Sequence, residues 1–210
     1  MTVDDTTAVR LNEILAEASH QALNPALGEQ FSLYYKLYER WNQHINLSAI
    51  RDKEGVLRRH FAESILAAEV VPAEVKTLLD FGSGAGFPGI PLALCRPQID
   101  VTLAESQLKK AGFLQEVVRS LGLSAEVFCG RAEHIGRSFD CVTLRAVDDM
   151  DRAVKNAVKL AAPGGWLLIL TTEADAVRWP KLVEGVEWQE LTPLRIGIST
   201  LPLLGRKSGA

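Results

Sequence analysis

The chain has 210 residues, 47% of them hydrophobic, which is enough to bury one substantial core and too few to demand several domains. Its 23 lysines and arginines against 26 acids leave a formal charge of −3, which excludes a surface positive everywhere, so a nucleic-acid partner would need a local basic patch. Residues 1–10 carry Asp4 and Asp5 and no apolar run of signal length, and the richest later stretches, 89–95 and 166–170, are too short to cross a bilayer. A cytoplasmic protein with no membrane partner is expected. Cys95, Cys129 and Cys141 show neither CxxC nor Cys/His spacing, so no metal site is expected and all three read as buried small apolar residues.

In chain order, residues 8–20 and 29–44 show helical periodicity, the second with Phe31, Leu33, Tyr34, Leu37, Tyr38 and Trp41 on one broad apolar face. Asp52 suits the N-cap of a third helix running to about Ala68, with Val56, Leu57, Phe61, Ile65 and Ala68 inward and Arg58, Arg59 and Glu63 towards water. Pro72 ends it, and residues 1–72 read as a helical extension packed on a core of residues 73–210, together one structural unit. From Lys76 the pattern changes to short apolar strands near 76–81, 99–105, 124–129, 140–145 and 165–171, with helices near 88–95, 107–121 and 149–162 between them. Such alternation predicts an α/β protein with a mostly parallel sheet covered on both faces. A short helix around 173–179 and two further strands, near 186–191 and 195–200, bring the count to seven strands ending in a hairpin.

The decisive stretch is Leu78-Leu79-Asp80-Phe81-Gly82-Ser83-Gly84-Ala85-Gly86-Phe87-Pro88-Gly89, a buried strand entering a glycine-rich turn and then a helix opened by Pro88. Gly84-x-Gly86-x-x-Gly89 matches the dinucleotide fingerprint literally, so a dehydrogenase is one reading. Asp80 argues against it, because a carboxylate beside the loop would repel a pyrophosphate and attract the ammonium and sulfonium of S-adenosylmethionine. The next strand ends in Glu105, 23 residues beyond Gly82, where both cofactor classes bind ribose hydroxyls. The third runs into Gly130-Arg131-Ala132-Glu133, a loop that could touch the adenine. Each acid alone could be a helix cap; three on successive strand ends point to a nucleoside cofactor.

Methyl transfer needs a nucleophile aligned with the sulfonium methyl, and the protein supplies mainly proximity and orientation. After the fourth strand stands Thr143-Leu144-Arg145-Ala146-Val147-Asp148-Asp149, without the Asp/Asn-Pro-Pro-aromatic segment of exocyclic amino methylation, and no Pro-Cys pair offers covalent attack on a pyrimidine. Guanine N7 has a free lone pair and no proton to lose, so a chain with no identified general base is compatible with that target. Arg145 could orient guanine O6, hold a phosphate or stack on a base; an ion pair with Asp148 or Asp149 is its structural alternative. His60, with no located partner, reads as locally bonded or packed in an interface, and Arg58 and Arg59 as a solvated helix face that could also meet RNA phosphates.

With Trp41-Asn42, Asn46-Leu47-Ser48-Ala49-Ile50, Arg59-His60-Phe61-x-x-Ser64-Ile65, the loop from Asp80 to Pro91, Leu103-x-Glu105-Ser106, Lys109-Lys110, Phe113-Leu114, Gly130-Arg131-Ala132-Glu133 and Arg145-Ala146, the chain closely resembles the RsmG (GidB) family of 16S rRNA guanine-N7 methyltransferases. The resemblance covers roughly the first 170 residues and implies a class I S-adenosylmethionine-dependent methyltransferase, Rossmann-like, acting on the small ribosomal subunit or its assembly intermediate as a monomer. By position it implies that Gly82, Gly84, Phe87, Ala132, Glu133 and Arg145 line the cofactor pocket, that Glu105 holds the ribose, and that Lys109 and Lys110, with Arg145, contact RNA. The family commonly has Asp where Glu105 stands, and its basic ending is replaced here by Gly197-Ile198-Ser199-Thr200 and Gly205-Arg206-Lys207. A methyltransferase of a small molecule or protein, and a non-catalytic S-adenosylmethionine-binding regulator, are the competing readings.

Overall fold

Alternating apolar strands and amphipathic helices build the sheet that the sequence pattern predicts. The computed structural model describes residues 5–190, 193, 194, 196 and 201–209. Strands β1 (Thr77–Phe81), β2 (Asp100–Glu105), β3 (Glu126–Cys129), β4 (Phe139–Arg145), β5 (Ala161–Thr171), β6 (Val186–Glu190) and β7 (Leu201–Lys207) form one sheet in the order β3-β2-β1-β4-β5-β7-β6. The first five are parallel, and β7 runs antiparallel between β5 and β6. Strand order reverses between β1 and β4, so the loops at the carboxyl ends of these strands diverge and leave a crevice there.

The expected strand 195–200 lies mostly outside the described residues, and the last strand is Leu201–Lys207 instead. Gly205 in its middle is a close approach: a Cβ there would stand 2.6 Å from Val186 and 2.7 Å from the Trp188 ring of β6.

Helices α5 (Gly89–Cys95) and α6 (Leu108–Leu121) cover one face of the sheet, and α7 (Met150–Leu160), with the short α8 (Glu173–Ala176) and α9 (Trp179–Leu182), is the helical layer on the other side. Onto α5 and α6 pack α2 (Pro25–Asn42) and the last part of a continuous helical stretch made of α3 (Lys53–Val56), a π-helical segment Leu57–Ala62 and α4 (Glu63–Val70), and α1 (Asp5–Glu17) packs on α2 and the π-helical segment. The buried core is continuous from Leu11 to Leu204, joining the N-terminal helices to the sheet. Its centre is aromatic: Tyr34 and Phe61 lie 5.0 Å apart, and each stands within 5.2 Å of Phe87. Edge and offset arrangements of this kind add about 0.5–1.5 kcal/mol per pair beyond area burial.

The π-helical segment corrects one expectation. Asp52 caps the helix through the Gly55 amide, at 2.6 Å, but Glu63 is 1% exposed rather than facing water. The Glu63 amide bonds the Arg58 carbonyl five residues back, so the wider turn rotates Glu63 inward. Leu33 is likewise exposed where the apolar face of α2 was expected to bury it, and Tyr35 is buried instead. Cys141 is buried and Cys95 half-buried, but Cys129 is exposed, because it ends the edge strand β3.

Candidate active site

β1 ends in the glycine turn, where Gly82, Gly84 and Gly86 have φ of 71°, 57° and 88°, a left-handed conformation that other residues rarely adopt. The turn is tied to β2: the Ser83 amide donates to the Ala104 carbonyl at 2.9 Å and the Gly84 amide to Glu105 Oε2 at 2.9 Å. Glu105 Oε1 accepts from the Gln107 amide at 2.7 Å, and its backbone carbonyl from the Gly130 amide at 2.9 Å, joining the ends of β1, β2 and β3. A carboxylate has about four acceptor positions, so two protein amides leave capacity for ligand hydroxyls.

These ends enclose a cavity of about 240 Å³ lined by Phe81, Gly82, Ala104, Ser106, the run 130–133, the run 147–149, Arg152 and Ala153. Of the residues expected at a cofactor, Gly82, Ala132 and Glu133 are in its wall, and Glu105 stands between two wall residues, Ala104 and Ser106. Gly84 is in the turn behind. Phe87 is elsewhere: its ring is buried in the aromatic centre, stacked 5.0 Å from His60 at an interplanar angle of 20°. Glu133 Oε1 accepts from Arg152 at 3.1 Å, Asn156 at 3.0 Å and Arg131 at 3.3 Å. Arg152 was not anticipated from the sequence. Its amide bonds the N-cap Asp149 at 3.2 Å, and that cap is the signal placing it on the first turn of α7, beside the strand ends.

Asp80 departs from the expected arrangement. Its carboxylate is 1% exposed, with Oδ1 accepting from Thr143 Oγ1 at 2.8 Å and Oδ2 from the Gly89 amide at 3.2 Å. Gly89 makes this possible, since a Cβ there would stand 2.6 Å from Oδ2. The acid therefore anchors the start of α5 rather than facing a cationic ligand directly. Burial pushes its pKa up to about 6, above the 3.8 of an ordinary aspartate. Between those two pH values the native state holds more protons than the unfolded chain, so this group's contribution to stability falls as pH rises. Asp80→Asn can keep both hydrogen bonds without the buried charge. Its stability relative to wild type is expected to rise from near zero at pH 4 to about 2 kcal/mol at pH 7, read by urea unfolding across that range. A pH-independent difference would show that the Asp80 charge is not destabilising.

Arg145, the last residue of β4, faces the π-helical segment and pairs with neither Asp148 nor Asp149. Its Nη2, with two hydrogens, faces three acceptors, the Arg59 carbonyl, His60 Nδ1 at 3.0 Å and Glu63 Oε2 at 3.3 Å, so that one hydrogen is shared between two of them. Nη1 is buried and has no hydrogen-bond partner among the described residues, the state expected of a donor kept for a ligand. The next residue, Ala146, has φ of 48°, strain of the kind that collects at functional turns. Arg58 is committed elsewhere, to Glu17 at 2.6 Å and Glu54 at 2.6 Å, while Arg59 is exposed. Lys109 and Lys110 open α6 beside the wall residue Ser106, Lys109 exposed and Lys110 half-exposed.

A strand-end cavity with a left-handed glycine turn and a strand-end acid beside its wall fits a nucleoside; Arg145 is not in that wall but lies against the π-helical segment, two residues before the wall residue Val147. The sequence model of the family described as rRNA small subunit methyltransferase G matches residues 28–198. The chain belongs to that family. Family relatives named ribosomal RNA small subunit methyltransferase G include the Stenotrophomonas maltophilia (strain K279a) protein, 40% identical over 177 residues, 83% of this chain and 82% of that one. The Pelotomaculum thermopropionicum protein is 41% identical over 160 residues, 71% of this chain and 67% of its own length. Among solved structures, cofactor-bound Rv0187 from MTB has a TM-score of 0.64 at 19% identity over 94% of this chain and 96% of that one. A methyltransferase from Pyrococcus furiosus has a TM-score of 0.61 at 11% identity over 85% and 98%. These likenesses show the fold of class I methyltransferases. Among the described residues, no helix is long and apolar enough to cross a membrane, and no group of three or more His, Cys, Asp or Glu could hold a metal ion.

Proposed function

We propose that the protein transfers the methyl group of S-adenosylmethionine to N7 of a guanine in 16S rRNA of the small ribosomal subunit. The observation that carries this reading is the cavity formed by the carboxyl ends of four strands, in a chain that matches the rRNA methyltransferase family over residues 28–198. Glu105 would hold the ribose, the amides of the glycine turn and the Ala132–Glu133 backbone would seat the nucleoside, and Arg145 would meet the amino-acid carboxylate on one side and the guanine on the other. When bound, the cofactor supplies an electrophilic methyl. The N7 lone pair of guanine would take that methyl with no proton to remove. The chain therefore has to orient the base and exclude water rather than supply a base.

Lys109 and Lys110 support an RNA substrate, because two cations in the first turn of α6, three and four residues beyond the wall residue Ser106 and next to the 79%-exposed Leu108, give a local basic and apolar surface on a chain of net negative charge. The test is to incubate the protein with isotopically labelled S-adenosylmethionine and small subunits lacking the modification, then digest the RNA and identify the labelled nucleoside by mass spectrometry. N7-methylguanosine at one position is expected. Label on an exocyclic nitrogen, a pyrimidine carbon or a small molecule alone would overturn the reading, and cofactor binding without transfer to any substrate would favour a regulator.

A further inference from the structure

The direction of Arg145 is set by a hydrogen-bonded chain that begins in the N-terminal helices. Arginine can only donate, so in the 3.0 Å contact with Arg145 Nη2, whose two hydrogens are shared among three acceptors, His60 Nδ1 is assigned as the acceptor. The imidazole proton is then on Nε2, where it is donated to Ser48 Oγ at 2.7 Å. Ser48 is fixed in turn: its Oγ accepts from the Ile50 amide at 3.1 Å, and Asn42 Oδ1, at the end of α2, accepts from the amides of Leu47 at 3.0 Å and Ser48 at 3.3 Å. The His60 ring is stacked on Phe87, so it cannot turn freely. Burial and the Arg145 charge lower its pKa to about 3, which keeps the ring neutral and an acceptor through the physiological range. The π-helical turn brings the Arg59 carbonyl, His60 and Glu63 together around the same Nη2, and the other terminal nitrogen of the fork, Nη1, is buried without a hydrogen-bond partner among the described residues.

We propose that His60, locked by Ser48 in its Nε2–H tautomer, is a positioning residue that pins one edge of the Arg145 guanidinium and thereby aims Nη1 at the carboxylate of the cofactor's amino-acid end. The inference rests on the reading of Arg145 as a cofactor contact given above. A planar fork held at one corner has its other donors fixed, which an ammonium or an unpinned guanidinium would not. His60 touches no reacting atom and acts through Arg145.

Calorimetric affinity for S-adenosylhomocysteine, with thermal unfolding measured alongside, tests this through three substitutions that divide the imidazole's roles. His60→Asn places an amide oxygen near the Nδ1 position and keeps an acceptor for Arg145. His60→Gln reaches Ser48 but loses that acceptor. His60→Phe keeps only the stack on Phe87. A positioning role expects Asn to stay within about threefold of wild type and Gln and Phe to weaken binding about tenfold, the loss of one well-aimed charge-assisted bond. A packing role expects the reverse order, with Phe the best tolerated and Asn the worst, and that order, or equal affinity in all three, overturns the proposal. Ser48→Ala, which leaves the ring in place and frees its tautomer, should weaken binding about threefold and carries the test if the ring substitutions fail to fold; unchanged affinity in it counts against the proposal. Arg145→Met separates the two layers. If it weakens binding while His60→Gln and His60→Phe do not, the His60 role fails alone. If Arg145→Met leaves affinity unchanged, the cofactor role of Arg145 fails and takes the inference with it.

Discussion

Gly86→Ala is expected to remove a large part of the stability of the fold, although it adds a single methyl group. The residue has φ of 88°, and a Cβ there would lie 2.6 Å from Ile90 Cγ1, 2.8 Å from Tyr34 Oη and 3.1 Å from Leu114 Cδ2. None of these neighbours can step aside cheaply. Tyr34 is fully buried, and its hydroxyl donates to the Ala85 carbonyl at 2.5 Å, the direct link between α2 and the glycine turn. Backbone strain of about 1–3 kcal/mol and overpacking of about 1–3 kcal/mol together predict a loss of roughly 3–5 kcal/mol. That is a large share of the 5–15 kcal/mol, roughly, that holds a typical domain folded. Gly84→Ala is the control. Its φ is 57°, so the strain is similar, but the nearest atom to a Cβ is the Gly82 carbonyl oxygen at 3.9 Å, and a loss of about 1–2 kcal/mol is expected. Urea unfolding of the two variants separates strain from crowding, and equal losses would show that the packing of Tyr34 on the turn contributes nothing.

The same pair of residues shows what the sequence discloses and what it conceals. The glycine turn and the acid at the end of β2 are local features, each readable from a few adjacent residues, and the alternation of apolar runs from Lys76 onward locates β1 to β5 to within about four residues at either end. The last strand escaped because Pro202 and Gly205 ordinarily interrupt strands, whereas here Gly205 lets the Trp188 ring lie against the backbone of β7. Partners distant in sequence escaped too. The acids nearest Arg145 in the chain are Asp148 and Asp149, but the one it meets is Glu63, 82 residues away and turned inward by a π-helical turn that no periodicity of 3.6 reveals. Asp80 was placed correctly at the strand end, but its engagement with Thr143 and Gly89 depends on β4 lying beside β1, which is a property of the sheet and not of the motif.

Arg145→Lys is expected to lower the single-turnover rate of methyl transfer about 100-fold at saturating cofactor and RNA, while the protein remains folded. The substitution keeps a positive charge for Glu63 at the end of β4, so an effect of charge alone would be small. It removes the fork in which Nη2 is held by the Arg59 carbonyl, His60 and Glu63 while Nη1 is left for a ligand. A lysine ammonium is a compact point charge that can satisfy the Glu63 side or a ligand, not both at fixed directions. The strained Ala146 turn, with φ of 48°, fixes where the stem of residue 145 leaves the strand, so a shorter or differently branched head cannot recover the position by a small backbone shift. Losing one preorganised donor typically costs 10²- to 10³-fold in rate, and misplacement of the attacking base by about 1 Å costs a comparable factor. A mechanism that used a general base would respond differently: the rate would follow the titration of one side chain, and replacing that side chain would stop turnover with both ligands still bound. Rapid-quench measurement of both proteins across pH 6–9 distinguishes these cases. Full activity of Arg145→Lys would sink the orienting role, and a rate that tracks one ionisation in wild type would replace orientation of N7 with proton removal as the source of catalysis.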